Sequence, residues 1–146
     1  MKQIAFLLFF LASIGLSAQN SPKTPLSAAD DATARAATES LTTKYKLNAD
    51  QAKQMYTIQV RKLRNMATIE SLKTSDPALY AAKKQSVQNG TLASIRRILQ
   101  TKEQVAIFDQ TKVETRTRQA EKRKEMMLNG ASKEAIEAAM LDIYAE

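Results

Sequence analysis

The sequence contains no histidine and no cysteine. It therefore lacks the usual general base at neutral pH, the thiol nucleophile and nearly every transition-metal ligand set. Without cysteine it has neither a disulfide nor the lipidation site of a lipoprotein. A hydrolase built on paired carboxylates or on a serine–lysine dyad remains as an enzymatic alternative, but we find no motif for either. We predict a protein that is not an enzyme and that needs no metal or other cofactor.

Long apolar runs are also absent, with one exception at the N-terminus. Lys2 precedes an apolar run from Ile4 to Leu16, and the small residues Ser17 and Ala18 follow it. The run is shorter than the about 20 apolar residues that a membrane-spanning helix needs. This pattern is typical of a secretory signal peptide, which we place at residues 1–18 with cleavage near Ser17 or Ala18. We expect a periplasmic protein with no integral membrane span after cleavage.

Glycine and aromatic residues are scarce. The three glycines are isolated, so the chain has no glycine-rich loop that could bind phosphate. Beyond the leader, the aromatic residues are Tyr45, Tyr56, Tyr80, Phe108 and Tyr144. A core with so few large side chains is thin, which favours long helices in a shallow layer or burial against a second copy. We therefore expect a homodimer.

Two helix starts in the sequence are of the same type. They are Leu47-Asn48-Ala49-Asp50-Gln51 and Leu99-Gln100-Thr101-Lys102-Glu103-Gln104. Asn48 and Thr101 are good N-cap residues, and the glutamine three positions later, Gln51 or Gln104, can bond back to the cap as in a capping box. Two helices can be capped alike by coincidence, but the likeness continues inside both helices. We interpret the pair as a weak internal repeat.

Apolar residues recur at three- and four-residue spacing along the rest of the chain, and no segment alternates convincingly at period two. The sequence predicts an all-α protein of four to five amphipathic helices in a thin, elongated helical hairpin arrangement. We expect a disordered lead at 19–26, a helical domain at 27–130 and a C-terminal amphipathic helix at 131–146. The predicted helices run from the Ser27 cap to about Tyr45, over 49–73, 77–98 and 102–128, and onward from the Ser132 cap.

Positive charge is concentrated in the middle of the sequence. The formal net charge of the chain is +7. Residues 53–124 contain sixteen basic and six acidic residues, a local charge of +10, whereas residues 125–146 carry five acidic residues and one lysine. Such a field attracts acidic partners. Nucleic acid is not expected, because the chain is exported and no aromatic stacking platform accompanies the charge.

The basic residues of this middle segment are accompanied by methionines, whose flexible side chains suit contact with many different partners. For any one of these residues, solvation of an exposed helix face or filling of the core is the simpler explanation. As a set, they predict a surface that binds unfolded chains. The candidate residues are Arg61, Lys62, Arg64, Met55, Met66, Arg96, Arg97, Arg116 and Arg123.

The two helix starts resemble the LTxxQ motif that occurs twice in the Spy/CpxP-like periplasmic proteins. The first copy has Asn48 in place of threonine, and in the second Gln100 separates Leu99 from Thr101. The resemblance implies a thin, curved, all-helical dimer with a basic concave side. It also implies an ATP-independent chaperone that holds unfolding envelope proteins. CpxP-like members in addition restrain a sensor kinase of the envelope stress response.

Two functions follow as hypotheses. The first is a periplasmic holdase that binds unfolded or acidic envelope proteins through a basic, partly apolar helical surface. The second is a regulatory or structural module of envelope stress that binds one specific acidic partner, either a sensor ectodomain or an anionic envelope surface. The range of bound partners distinguishes the two, since a holdase retains many proteins and a module retains one.

Overall fold

A computed structural model describes residues 26–145. This part of the chain consists of six helices and contains no strand, which confirms the predicted all-α fold. The predicted signal peptide and nearly all of the predicted lead at 19–26 lie outside the described residues. The helices are α1 (Ala28–Tyr45), α2 (Ala49–Ile69), α3 (Leu72–Ser75), α4 (Pro77–Ile98), α5 (Lys102–Leu128) and α6 (Lys133–Asp142).

The predicted second helix, at 49–73, is wrong at its C-terminal end, which is why there are six helices instead of four or five. Helix α2 ends at Ile69, and the separate short helix α3 follows. Hydroxyl groups compete for the backbone at this break: Ser75 Oγ donates to Ser71 O at 3.0 Å, and Thr68 Oγ1 donates to Asn65 O at 2.7 Å. Short polar side chains of this kind favour turns over continued helix.

The helix starts follow the predicted caps. The side chains of Asn48 and Thr101 accept from the backbone N–H groups of Gln51 and Gln104, and both capping boxes are complete. Ser132 accepts from the N–H of Ala135, so its structural role is that of a helix cap. Each such bond satisfies a first-turn donor that has no partner inside the helix. The remaining side-chain caps in the described segment are Ser27 of α1 and Asp76 of α4.

Replacing Thr101 with alanine should lower the free energy of unfolding by about 1 kcal/mol, because the N–H of Gln104 loses its acceptor. Thr101 Oγ1 lies 3.1 Å from that nitrogen. Thr117→Ala is the matched control, since the Thr117 hydroxyl is exposed and bonds only to the carbonyl of Val113 within α5. Urea denaturation of both variants tests this prediction. Equal stability of the two variants would show that Thr101 does not act as the cap.

The helix ends also follow local rules. Gly130 has a φ of +71° and ends α5, as its position after the last helical turn predicts. The N–H groups of Gly130 and Ala131 donate to the carbonyls of Met127 and Met126, which is the Schellman pattern. Lys46, with a φ of +52°, occupies the corresponding position after α1. Its left-handed conformation turns the chain towards the start of α2.

The main core lies where the α1–α2 turn meets the α4–α5 turn. Helix α2 packs against both α1 and α4, and α6 packs against α4 and α5. The second half of α5 therefore lies outside the main core. None of the helices at 26–145 is both long and apolar enough to cross a bilayer. The buried core cluster consists of Leu41, Tyr45, Met55, Ile58, Ile95, Ile98, Leu99 and Phe108.

Candidate binding surface

The two repeated helix starts meet through their glutamines. Gln51 and Gln104, 53 residues apart, are only 2% and 4% exposed. Each side-chain amide donates to the carbonyl oxygen of the other, and both bonds measure 3.0 Å. At the same time, the Gln51 oxygen accepts from the backbone N–H of Asn48 at 3.0 Å, and the Gln104 oxygen accepts from Thr101 N–H at 3.3 Å. One glutamine pair thus completes both capping boxes.

Each glutamine also bonds to the end of a helix in the other half of the chain. Gln51 Nε2 donates to Ile98 O at 2.7 Å, and Gln104 Nε2 donates to Lys46 O at 3.1 Å. The leucines of the two motifs contribute to the adjoining core, since Leu99 is buried and Leu47 packs against the core cluster. The motif residues therefore hold the α1–α2 turn against the α4–α5 turn, and their role in the structure is to position helices.

A polar groove of about 320 Å³ lies between α2 and α4, and it brings together two of the predicted binding residues. Arg61 and Arg97 both line it, and Arg61 Nη2 donates to Ser94 Oγ at 2.6 Å. No carboxylate occurs among the described residues that line the groove. We name it the α2–α4 groove. Two guanidinium groups without a neighbouring carboxylate make it electropositive, which suits an anionic group.

A second basic surface follows one side of the exposed half of α5, and we name it the α5 face. All of its residues belong to α5, so it is an open surface of a single helix. Met127 and Leu128 lie at its C-terminal end and are 64% and 79% exposed. Because the basic residues recur at helical spacing, cations and apolar groups lie next to each other there. The α5 face consists of Arg116, Gln119, Ala120, Arg123, Lys124, Met127 and Leu128.

The other predicted binding residues do not join either surface. Lys62 is half-buried, with its ammonium group 5.1 Å from the ring centre of Tyr144, whereas Arg96 is exposed near the α4–α5 turn. Arg64 and Met66 are half-buried on α2. Met55 has no exposed surface and belongs to the core cluster, so its prediction as a surface contact is wrong. It lies on the side of α2 that contacts the main core.

Sequence reasoning missed two features of these surfaces. Leu128 extends the α5 face, and its helical spacing from Lys124 was the available signal. Gln88 and Gln119 bond to the backbone of α6. No sequence signal marks those two glutamines, because their partners come from elsewhere in the chain.

A cluster of polar side chains links the N-terminal half of α1 to α2. The phenol of Tyr56 donates to one carboxylate oxygen of Asp31, and Arg35 Nε donates to the other at 2.7 Å. The guanidinium group of Arg35 also lies 5.2 Å from the ring centre of Tyr56. The bonds from Tyr56 and then Arg35 lower the pKa of Asp31, while the bond to the carboxylate raises the pKa of Tyr56. The arrangement therefore favours an ionised aspartate and a neutral phenol.

This cluster predicts an acid-dependent part of the stability. The contribution of Asp31 is complete above its ordinary pKa of about 3.9, and it is lost as the pH falls through the lowered pKa of the folded state. We expect the melting temperature of Asp31→Asn to depend less on pH below about 4 than that of the wild type. Tyr56→Phe, which removes the phenol donor, should reduce the pH dependence as well. Thermal denaturation between pH 2 and 7 tests this, and identical pH profiles for all three proteins would contradict it.

Comparison with known proteins identifies no relative of this chain. No family model, no curated protein and no solved structure matches the chain. Among residues 26–145, no three acidic, histidine or cysteine side chains are grouped so that they could hold a metal ion. The two basic surfaces and the contacts of the helices around them are therefore the features that bear on function.

Proposed function

We propose that this chain is an exported, ATP-independent holdase of the Spy/CpxP-like type, which binds unfolded envelope proteins and releases them without a cofactor. The observation that carries the proposal is the α5 face, where arginines and exposed apolar side chains share one side of a helix. Exposed apolar groups with a charged border are typical of interaction sites. The LTxxQ-like motifs and the predicted signal peptide support the periplasmic part of the proposal.

The two kinds of side chain on the α5 face have different roles in this mechanism. The arginines attract acidic segments of a client and raise the rate of encounter at low salt. Met127 and Leu128 then retain the client, because each apolar side chain that becomes fully buried contributes about 1.5–3 kcal/mol before ordering costs are subtracted. Two apolar contacts give only weak, reversible binding. Such binding suits a holdase that must release its clients without ATP.

An aggregation assay tests the proposal directly. The chain from residue 19 onward is mixed at stoichiometric amounts with a chemically denatured client at low salt, and light scattering follows the aggregation. We expect suppression that weakens as salt is added. Absence of suppression at low salt would overturn the proposal.

Matched variants assign the activity to the α5 face. Met127→Ser combined with Leu128→Ser should reduce suppression, whereas Val113→Ser should not, because Val113 is 54% exposed on α5 but does not line the α5 face. Arg116→Glu combined with Arg123→Glu should slow client capture. Lys83→Glu combined with Arg118→Glu makes the same change in net charge outside the α5 face. Equal loss in both charge variants would show that only net charge matters.

The α2–α4 groove supports the second candidate, a module that binds one acidic partner. Its two arginines, with no carboxylate among the described lining residues, form a defined site for a single anionic group. A pull-down from an envelope extract separates the two candidates. Many retained proteins favour the holdase, and one dominant protein or lipid favours the module. Arg61→Ala combined with Arg97→Ala should remove the dominant partner in the second case.

We also propose that two copies associate in solution. The few large side chains of the core support this, because a second copy would bury apolar surface that one copy leaves in water. Light scattering on the chain from residue 19 onward, at several concentrations, tests it. A monomer mass at every concentration would overturn the proposed dimer.

A further inference from the structure

Helix α6 and the residues after it are held on the rest of the chain largely by polar contacts to their backbone. Gln88 on α4 donates its side-chain amide to Leu141 O at 2.7 Å. Gln119 on α5 donates to Met140 O at 3.1 Å and to Ile143 O at 2.9 Å. Two glutamines from neighbouring helices therefore bind three backbone carbonyls at the end of α6, and such bonds do not depend on side-chain identity.

Charge complementarity adds to these contacts. Lys84 on α4 forms an ion pair with Asp142, and the lysine side chain is 17% exposed while that of Asp142 is 72% exposed. Lys62 lies over the ring of Tyr144, whose hydroxyl donates to Gln88 O at 2.7 Å. One carboxylate of the C-terminal segment, that of Asp142, therefore pairs with a lysine of the basic middle. Because the Lys84 side chain is largely covered, the loss of its partner Asp142 should cost more free energy than it would for an exposed lysine.

The apolar contact that α6 and residues 143–145 make with α4 and α5 is small, and it does not fill the space between them. Ile136, Met140 and Ala145 are the buried apolar residues of the segment. A cavity of about 230 Å³ remains between α4, α5 and the residues from Met140 to Ala145. Helix α6 has ten residues, and an isolated helix shorter than about 12 residues is marginal in water. The segment therefore depends on the groove for its structure but does not fill it.

We propose that the groove between α4 and α5 is a binding site for acidic amphipathic peptide segments, and that α6 with residues 143–145 occupies it as an intramolecular ligand. The carbonyl-binding glutamines accept any sequence, and Lys62 and Lys84 select an acidic segment with an aromatic ring. Release of α6 opens the site to another chain. The inference rests on the proposed holdase function only for the origin of that other chain, an unfolded client.

Competition between α6 and a separate peptide of the same sequence tests this site without any client. The probe is a fluorescently labelled synthetic peptide of residues 131–146, and fluorescence anisotropy measures its binding to the full chain from residue 19 onward. Asp142→Lys places a second cation beside Lys84, so α6 should leave the groove more often. We expect this variant to bind the peptide about tenfold more tightly than the wild type, because apparent affinity rises with the open fraction.

Two further variants separate this mechanism from a general effect of charge. Glu39→Lys makes the same change in net charge on an exposed residue of α1 that does not line the groove, and it should leave peptide affinity at the wild-type value. Lys84→Glu combined with Asp142→Lys restores an ion pair of reversed sign, and it should return binding to the wild-type level or below. Equal affinity for the wild type and Asp142→Lys, or an equal gain with Glu39→Lys, would overturn the proposal.

Circular dichroism shows whether each variant is folded. If Asp142→Lys loses helical signal outside the range expected for α6 alone, Tyr144→Phe decides, because it removes only the hydroxyl bond to Gln88. It should give a smaller gain in peptide affinity, and no gain would then overturn the inference. Tight peptide binding without suppression of client aggregation would instead overturn the holdase alone.

Discussion

Replacing Gln51 with leucine is expected to lower the free energy of unfolding by about 3 kcal/mol, one of the two largest losses predicted for a single substitution in this chain. Leucine has a similar size, so the loss comes from hydrogen bonds instead of a cavity. The buried carbonyl of Ile98 loses its donor, the Gln104 amide loses one of its two acceptors, and the N–H of Asn48 loses its acceptor. Each buried polar group left without a partner costs about 1–3 kcal/mol.

The control is Gln54→Leu, because Gln54 is exposed on the same helix. Its effect should stay within about 0.5 kcal/mol. Gln104→Leu alone and Gln51→Leu combined with Gln104→Leu complete a double-mutant cycle. The loss in the double variant should be smaller than the sum of the two single losses, since neither glutamine is then left unpaired. Urea denaturation gives all four values. Additive losses would show that the two glutamines do not act as a pair.

Met55→Ala is the second prediction with a large effect, because Met55 has no exposed surface and contacts the core cluster. Truncating a buried methionine to alanine costs about 2–5 kcal/mol, through lost burial and the cavity that remains. Chemical denaturation measures the loss. A change below about 1 kcal/mol would contradict the placement of Met55 in the core.

Met127→Ala is the counterpart on the surface. Met127 is 64% exposed, so its truncation should change stability by less than about 0.5 kcal/mol. The same substitution should weaken suppression of client aggregation, whereas Met55→Ala should leave suppression unchanged at temperatures where it is folded. A loss of stability with Met127→Ala would show that this end of α5 is packed in solution.

Helix boundaries could be predicted because their signals are local. The caps at Ser27, Asn48, Thr101 and Ser132 and the stop at Gly130 depend on bonds within one turn of the residue concerned. The break after Ile69 was missed, because continued helix and a turn built on hydroxyl groups suit that sequence about equally. Helix α3 also packs against α4, and periodicity does not reveal such a contact.

The binding surfaces were less accessible to prediction, because they depend on how distant helices align. Arg61 and Arg97 line one groove only in the register that α2 and α4 adopt. Met55 and Met66 both belong to the apolar side of α2 by spacing, yet one is buried and the other half-buried. Spacing indicates a side of a helix, and only the neighbouring helix decides which residues on that side remain exposed.

The reciprocal glutamine bonds connect the α1–α2 turn and the α4–α5 turn directly to each other. Gln51 and Gln104 make equivalent bonds, each to its own cap and to a carbonyl that ends a helix of the opposite half. A break in either glutamine's bonds therefore leaves polar groups of both turns without partners. The two turns should open and close together as one cooperative unit.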